Sequence, residues 1–299
     1  MKPKVLVLGH WKTGTTLLCN ILKWSFNKKM NYDILTTTLN DYKYRVQNNT
    51  FKVFDNRNQL IETKLKKYID QFGEEVVKFH TLNKCDVKDK HLFLSKVIND
   101  CFEVADCVTI PGINISEEFA DELNLGSDGK ILFTIRDYKS LYQKLKNMNL
   151  NENWGVAGLC ENLTHSVANY ILMFLNFISK EGVEIIRLED YDENNYKKQM
   201  DKIDKFLTNN SSEKEHIYKQ NHLNKAVIGH ESSGDKYLKE KELYSKDIDT
   251  KLPDYIEKIF YKYYKISEHP YSKRLNMIQL DELISDKHQV KDYIKETYE

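Results

Sequence analysis

The sequence predicts an α/β protein with a mainly parallel five-stranded sheet, helices on both faces and a helical C-terminal region. Three observations lead to this fold class. Five short apolar runs occur along the chain, segments with helical spacing separate them, and a glycine-bearing loop joins the first run to the first helix. Buried strands that alternate with helices are typical of parallel sheets, because each crossover helix returns the chain to the same end of the sheet.

The predicted strands are runs of apolar residues bounded by turn or charged residues. They cover Lys4–Leu8, Glu75–Phe79, Asp106–Ile110, Lys130–Ile135 and Val183–Leu188. Between them, apolar residues at helical spacing predict helices, the first of which follows Thr15. The other predicted helices cover Glu62–Phe72, His91–Phe102, Glu117–Leu123 and Ser166–Ile178.

The chain of 299 residues is compatible with one domain spanning positions 1–299. Positions 31–60 are polar and rich in Asn, Tyr and Thr, which predicts a variable insertion of loops and short elements. Positions 197–299 are rich in Lys, Glu, Asn and Tyr, with helical spacing in Tyr255–Ile266, and predict a mostly helical cap and tail. We expect the highly charged C-terminal end to dock weakly.

Composition narrows the functional classes. The 45 basic and 45 acidic residues give a formal net charge of zero, which argues against a nucleic-acid partner. The five cysteines are odd in number and form no CxxC pair, which indicates reduced thiols. No run approaches the roughly 18 apolar residues of a membrane span. The chain enters a strand at Val5 without the pattern of a secretory signal, so we expect a cytoplasmic protein.

The segment from Gly9 to Thr16 has the features of a phosphate-binding loop. Gly9 and Gly14 have the GxxxxG spacing of a Walker A loop, between a predicted strand and a predicted helix. Backbone N–H groups and the positive end of the following helix bind a phosphate-like dianion in such loops. NTPases carry lysine directly after the second glycine, but Thr15 stands there in this chain and the lysine is Lys12. A lysine inside the loop can neutralise charge on a departing phosphate without a metal ion.

The segment VLVLGHWKTGTTLL resembles the 5′-phosphosulfate-binding loop of sulfotransferases that use 3′-phosphoadenosine 5′-phosphosulfate (PAPS), which is usually close to PKSGTT. The displaced lysine and the paired threonines distinguish this loop from those of ATP- and GTP-binding proteins. The resemblance implies a P-loop NTPase-like fold, PAPS as donor, 3′-phosphoadenosine 5′-phosphate (PAP) as product and no required metal. It also implies that Lys12 is catalytic and that the donor is bound by Trp11, Lys12, Thr13, Gly14, Thr15, Thr16 and Leu17. The alternative is a glycine turn that holds no ligand.

The segment KILFTI followed by Arg136 is similar to a second signature of that family. In the family, a strand ends at an arginine and a serine lies eight positions later, and both bind the 3′-phosphate. A guanidinium suits this role because it forms two parallel hydrogen bonds with a phosphate. Here Lys144 stands at the serine position and the nearby hydroxyl is Ser140. Lys144 could act through its charge, or Ser140 from a shifted helix. The alternative for Arg136 is a surface ion pair with Asp137 or a neighbour.

Two further segments carry weaker resemblances. IIRLEDY looks like the family's strand that ends in an acidic pair, which implies packing and capping roles for Glu189 and Asp190. The family also has a glycine-containing loop that closes over the nucleotide, and it is similar to the segment GHESSGDKYLKEKEL. Lys225 and His230 are therefore weak candidates for contacts with the nucleotide. His10, inside the phosphate-binding loop, is expected to be an exposed loop residue; the alternative is a contact with the nucleotide or the acceptor.

Two alignments with the family place the base, which accepts the proton of the acceptor, at different residues. Transfer requires in-line geometry and a group that takes the acceptor's proton, for which a histidine near neutrality is suited. His80, at the end of a predicted strand, lies in a run that looks like the K-x-H strand end of cytosolic sulfotransferases, where histidine is the base. CVTIPGINISEEFADEL resembles another branch, in which the catalytic strand is Val108–Pro111 and the base is Glu117, Glu118 or a residue of the N-terminal insertion.

Together these resemblances imply a sulfotransferase that moves a sulfuryl group from PAPS to a hydroxyl or an amine. A small-molecule or glycan acceptor fits the zero net charge better than a long polyanion does. The alternatives are a P-loop kinase of small molecules, disfavoured because Lys is missing after Gly14, and a non-catalytic PAP-binding protein of the same fold.

Overall fold

The centre of the fold is an all-parallel sheet of four strands. The computed structural model describes residues 4–10, 12–22, 36–38, 66–73, 87–103, 106–111, 119, 123, 125–126, 129–151, 163–190, 195–208 and 248–298. The strands are β1 (Lys4–Gly9), β2 (Cys107–Pro111), β3 (Gly129–Ile135) and β4 (Val183–Arg187), in the order β2-β1-β3-β4. A short segment, Thr36–Thr38, pairs in parallel with the outer edge of β2.

These four strands confirm four of the five predicted strands. The fifth, Glu75–Phe79, lies outside the described residues. Small differences occur at the ends: β1 includes Gly9, and β4 ends at Arg187, where the chain enters the 3₁₀ turn Leu188–Asp190.

Helices lie between and after the strands. They are α1 (Thr15–Ile21), α2 (Val87–Cys101), α3 (Tyr138–Asn151), α4 (Leu163–Ile178), α5 (Tyr196–Thr208), α6 (Asp254–Ile266), α7 (Tyr271–Leu275) and α8 (Leu280–Tyr298). Residues 66–72 are also helical, as expected for that part of the segment predicted from Glu62. The C-terminal region is therefore helical, as the sequence predicts.

Alternate residues of the strands enter two hydrophobic clusters. Leu6 and Leu8 of β1 belong to a large cluster with Phe174 of α4, whereas Val7 belongs to a second cluster with Leu18 of α1. Side chains alternate across a strand, and parallel strands are apolar on both faces when helices cover both. This explains why the strands read as continuous apolar runs and not as alternating ones.

The C-terminal end packs more firmly than expected. Leu283 and Val290 of α8 are buried in the large cluster, and α8 contacts α4 and α6. The hydroxyl of Tyr263 on α6 donates a hydrogen bond to Asp286 Oδ2 at 2.8 Å. The expectation of weak docking was wrong because Leu283 and Val290, which lie seven positions apart on one face of this charged helix, are buried, although Leu280 and Ile284 are exposed.

A buried ion cluster anchors α5 and α7 to the edge strand β4. Glu184 of β4 accepts a hydrogen bond from Arg274 Nη1 at 2.8 Å and lies 3.3 Å from Lys202 Nζ. All three side chains are at most 4% exposed. Burial lowers the pKa of Lys202 and that of Arg274, and the carboxylate opposes both shifts. One carboxylate thus holds two buried cations in place.

Two further features bear on the sequence predictions. Cys19, Cys101 and Cys107 are free thiols buried in the core. In the described ranges, no helix combines the length and apolar character needed to cross a membrane.

Candidate functional site

The predicted phosphate-binding loop connects the carboxyl end of β1 to α1. Gly14 is the N-cap residue of α1, with φ of 100°, and its carbonyl accepts the hydrogen bond from Leu18 N–H at 2.9 Å. Gly14 suits this position because left-handed backbone is strained for residues with a Cβ. A Cβ there would also lie 2.6 Å from Leu188 Cδ1, so Gly14 lets the end of β4 approach the loop.

A chain of hydroxyl groups holds the loop against β3. Thr13 is fully buried; its Oγ1 donates to His10 O at 2.7 Å and lies 2.9 Å from Thr134 Oγ1. Because the Thr13 proton is directed at His10 O, the single proton of Thr134 Oγ1 is shared between Thr13 Oγ1 and Leu8 O, which lies 3.2 Å away. Gly9 lets the Thr134 hydroxyl approach the loop, since a Cβ on residue 9 would lie 2.0 Å from Thr134 Oγ1. The Thr13 hydroxyl therefore shapes the loop from inside, a role that the sequence pattern did not indicate.

Lys12 is exposed and has a strained backbone, with φ of 65°. A non-glycine residue in left-handed backbone costs on the order of 1–2 kcal/mol. Such strain clusters at functional sites, where a particular side chain is retained in spite of the cost. Lys251 has the same exposed, left-handed backbone outside the loop, so it is the position of Lys12 in the loop, together with its strain, that makes it a candidate.

Arg136 lies directly after β3 and next to the loop. Its side chain is almost completely buried, with 3% of the residue exposed, and Nη1 donates to Lys12 O at 3.3 Å. The alternative of a surface ion pair is wrong, because the residue is not at the surface. The two predicted anion-binding segments meet because β1 and β3 are neighbouring parallel strands whose carboxyl ends lie at the same edge.

The backbone of Arg136 and Asp137 is held by side chains from distant elements. Tyr170 of α4 accepts from Arg136 N–H at 2.9 Å and donates to Arg136 O at 2.5 Å. Glu189, after β4, accepts from Asp137 N–H at 2.9 Å and from the hydroxyl of Tyr264 on α6 at 2.6 Å. The expected capping and packing role of Glu189 agrees with these contacts, whereas the tyrosines had no signal in the sequence.

The electrostatics of this cluster follow from its burial. Removal of the carboxyl group from water raises the pKa of Glu189, while the hydrogen bonds from Tyr264 and from Asp137 N–H oppose the shift. Burial also raises the pKa of Tyr264 and that of Tyr170. The phenols therefore remain protonated donors at neutral pH.

The N-terminus of α3 carries the remaining candidates for the 3′-phosphate. Asp137 caps this helix, because its Oδ1 accepts from Ser140 N–H at 3.0 Å, and its Oδ2 accepts from Tyr261 at 2.9 Å. Ser140 and Lys144 are both half-buried and stand one helical turn apart on α3. The helix thus presents both predicted alternatives on one side, with Ser140 nearer to Arg136.

Three residues of the predicted phosphate-binding segment, one in the loop and two in α1, are buried. His10 is only 1% exposed and its ring centroid lies 5.5 Å from that of Tyr170, so the expectation of an exposed loop histidine was wrong. The alternation of β1 explains this, because His10 follows Leu6 and Leu8 on the same face. Leu17 is 6% exposed and belongs to the second hydrophobic cluster, and Thr15 is 5% exposed.

Several predicted residues lie outside the described part of the chain. They are Trp11, His80, Glu117, Glu118, Lys225 and His230, and only the backbone of Thr16 is described. Both candidate positions of the base are therefore untested by the geometry. Within the described ranges, His, Cys, Asp and Glu side chains form no group of three that could hold a metal ion.

A cleft of about 550 Å³ lies along α6, beside the N-terminus of α3, and is lined by Asp254, Glu257, Lys258, Tyr261, Lys262 and Lys265. Its described walls come from a single helix, and Lys262 is already paired with Glu282 and Asp286. Ligand sites usually combine polar groups that converge from several elements. The strand ends around Lys12 and Arg136 meet this description better, so we regard them as the candidate site.

No protein-family model matches the sequence, and no curated protein or solved structure matches it either.

Proposed function

We propose that this protein is a PAPS-dependent sulfotransferase with a P-loop NTPase-like fold. The observation that carries the proposal is the contact between the loop and Arg136, in which Arg136 Nη1 donates to Lys12 O at 3.3 Å. PAPS has one anionic group at each end of its ribose. A loop for the 5′-phosphosulfate beside an arginine for the 3′-phosphate is the arrangement that such a donor requires.

The loop residues have distinct tasks in the proposed reaction. The donor's 5′-phosphosulfate lies at the positive end of α1, where backbone N–H groups point outward. Lys12, which is exposed, neutralises charge on the bridging oxygen as it departs. Thr13 and Thr134 hold the loop in shape, so the donor site requires no reorganisation at the moment of reaction.

The transfer is an in-line displacement at sulfur. The acceptor's oxygen or nitrogen bonds to sulfur while the bond from sulfur to the bridging oxygen breaks, and this oxygen leaves on the 5′-phosphate of PAP. The proton of the acceptor passes to the base, which is His80 or a carboxylate at Glu117 or Glu118. We propose a small-molecule or glycan acceptor and a cytoplasmic location, in keeping with the zero net charge and reduced thiols.

Thermal unfolding in the presence of PAP, ADP, ATP and Mg²⁺-ATP tests the donor. A ligand that binds only the native state, present at a hundred times its Kd, stabilises it by about 2.7 kcal/mol. We expect selective stabilisation by PAP that does not depend on magnesium. Stabilisation by Mg²⁺-ATP alone would contradict the proposal and indicate a kinase.

Lys12→Ala distinguishes an enzyme from a PAP-binding protein without activity. We expect the wild type to release PAP from PAPS in the presence of an acceptor, and the variant to lose this transfer while it still binds PAP. Lys251→Ala is the matched control, since Lys251 is also an exposed lysine with positive φ, at 59°, but is remote in sequence from the loop. Equal turnover in Lys12→Ala and wild type would remove Lys12 from the reaction.

A further inference from the structure

Tyr170 lies between the two segments that bind the donor in the proposed function. It is a fully buried residue of α4, and its hydroxyl contacts only the backbone of Arg136 among the hydrogen bonds described above. From this geometry we infer that Tyr170 is a positioning residue, which fixes Arg136 for the donor's 3′-phosphate. The inference rests on the proposed function.

The two hydrogen bonds of Tyr170 restrain a single peptide segment. The hydroxyl accepts from Arg136 N–H at 2.9 Å and donates to Arg136 O at 2.5 Å, so it bridges both backbone groups of the same residue. Arg136 follows the last residue of β3, where the sheet's own hydrogen bonds end. Tyr170 therefore supplies the backbone hydrogen bonds that a neighbouring strand would otherwise make with Arg136. These bonds fix the backbone from which the guanidinium extends.

The next residue is held in the same way. Asp137 N–H donates to Glu189, and the Asp137 side chain caps α3 and accepts from Tyr261. Successive backbone groups on both sides of the Arg136 side chain are thus restrained before any ligand binds. A guanidinium restrained in this way loses less conformational entropy when it binds a phosphate.

Tyr170 also touches the loop. Its ring lies 5.5 Å from the ring of His10, at an interplanar angle of 60°. His10 O in turn accepts from Thr13 Oγ1 at 2.7 Å. One side chain therefore contacts the segment proposed for the 5′-phosphosulfate through its ring, and the residue proposed for the 3′-phosphate through its hydroxyl.

Comparison of PAP with AMP isolates the proposed effect, because these ligands differ only in the 3′-phosphate. In isothermal titration calorimetry we expect Tyr170→Phe to weaken the binding of PAP by about fivefold to tenfold, which is the ordering cost of one side chain that is no longer fixed in advance. The binding of AMP should weaken by less than about twofold, so the ratio of the affinity for PAP to that for AMP falls. In an Arg136→Ala background, Tyr170→Phe should have no further effect on this preference.

Tyr263→Phe is the matched control. Tyr263 is 1% exposed and its hydroxyl donates to Asp286 on α8, away from Arg136. A purely structural role for Tyr170 predicts that both variants lower the melting temperature and leave the preference for PAP over AMP unchanged. This result would overturn the inference but not the proposed function. If the wild type itself shows no preference for PAP over AMP, the proposed function fails and the inference fails with it.

Amide hydrogen exchange of the wild type gives a second test that does not require a variant to fold. We expect Arg136 N–H to be protected without ligand, because the Tyr170 hydroxyl already accepts its hydrogen bond. Rapid exchange that becomes slow only after PAP is added would mean that the position of Arg136 is not set in advance, and would overturn the inference.

Discussion

Replacement of Lys12 by glycine should stabilise the protein while it removes the proposed catalytic cation. Lys12 is exposed and has φ of 65°, in the left-handed region that favours glycine. Lys12→Ala removes the same side chain but keeps the backbone strain. The two variants therefore differ only in the backbone contribution, and both retain the carbonyl that accepts from Arg136 Nη1.

The expected difference follows from two opposing contributions. Relief of left-handed strain is worth about 1–2 kcal/mol, and the greater freedom of glycine in the unfolded chain costs about 0.5–1 kcal/mol. We therefore expect Lys12→Gly to be more stable than Lys12→Ala by about 0.7 kcal/mol, within limits of about 0 and 1.5 kcal/mol. Lys251, which has φ of 59° and is also exposed, should show the same difference between its Gly and Ala variants.

Equilibrium unfolding in urea measures these differences, with the slope of each transition as a check that the unfolded state is unchanged. Sulfuryl transfer from PAPS should be lost in both Lys12 variants and retained in both Lys251 variants. If Lys12→Gly proves less stable than Lys12→Ala, the strain that we assign to this position does not exist.

Two further substitutions test how the site is supported. Gly9→Ala should lower the free energy of unfolding by about 1–3 kcal/mol through overpacking, because the new Cβ would lie 2.0 Å from Thr134 Oγ1. In a double-mutant cycle, Gly9→Ala should cost less in a Thr134→Ala background, where the clashing hydroxyl is absent. Glu184→Gln should lower the free energy of unfolding in urea by about 3–5 kcal/mol, since two buried cations lose the carboxylate with which both form ion pairs. The control Glu257→Gln removes a half-exposed ion pair and should cost less than about 1 kcal/mol; equal losses in the two variants would refute the assigned role of the buried ion cluster.

The local chemistry of the site could be predicted from the sequence. Strand β1, the glycine spacing, the displaced Lys12 and the strand that ends at Arg136 are each recognisable within a few consecutive residues. The resemblance also assigned both segments to the same donor, which requires them to lie close together. The contact between Arg136 and Lys12 is what this reasoning leads to, even though the two residues are 124 positions apart.

The exposure of His10 could not be predicted from its position in the loop. A loop between a strand and a helix favours a surface location, but the alternation of β1 continues for one more residue and directs the His10 side chain towards Tyr170 of α4. In the same way, the charged C-terminal segment gave no sign of how firmly α8 packs. Charge describes the solvent face of such a helix, whereas the few apolar residues on its other face decide the docking.

The sequence by itself determined the four strands of the sheet, the helical character of the segments between and after them, and the loop between β1 and α1. Only the tertiary structure decided what holds the residues of the candidate site in position. Tyr170, Glu189 and Tyr264 reach their partners across 34, 52 and 75 positions respectively. Hydrogen bonds between elements depend on how helices pack on the sheet, and packing is set by the shapes of many side chains at once. Local spacing carries no record of that arrangement.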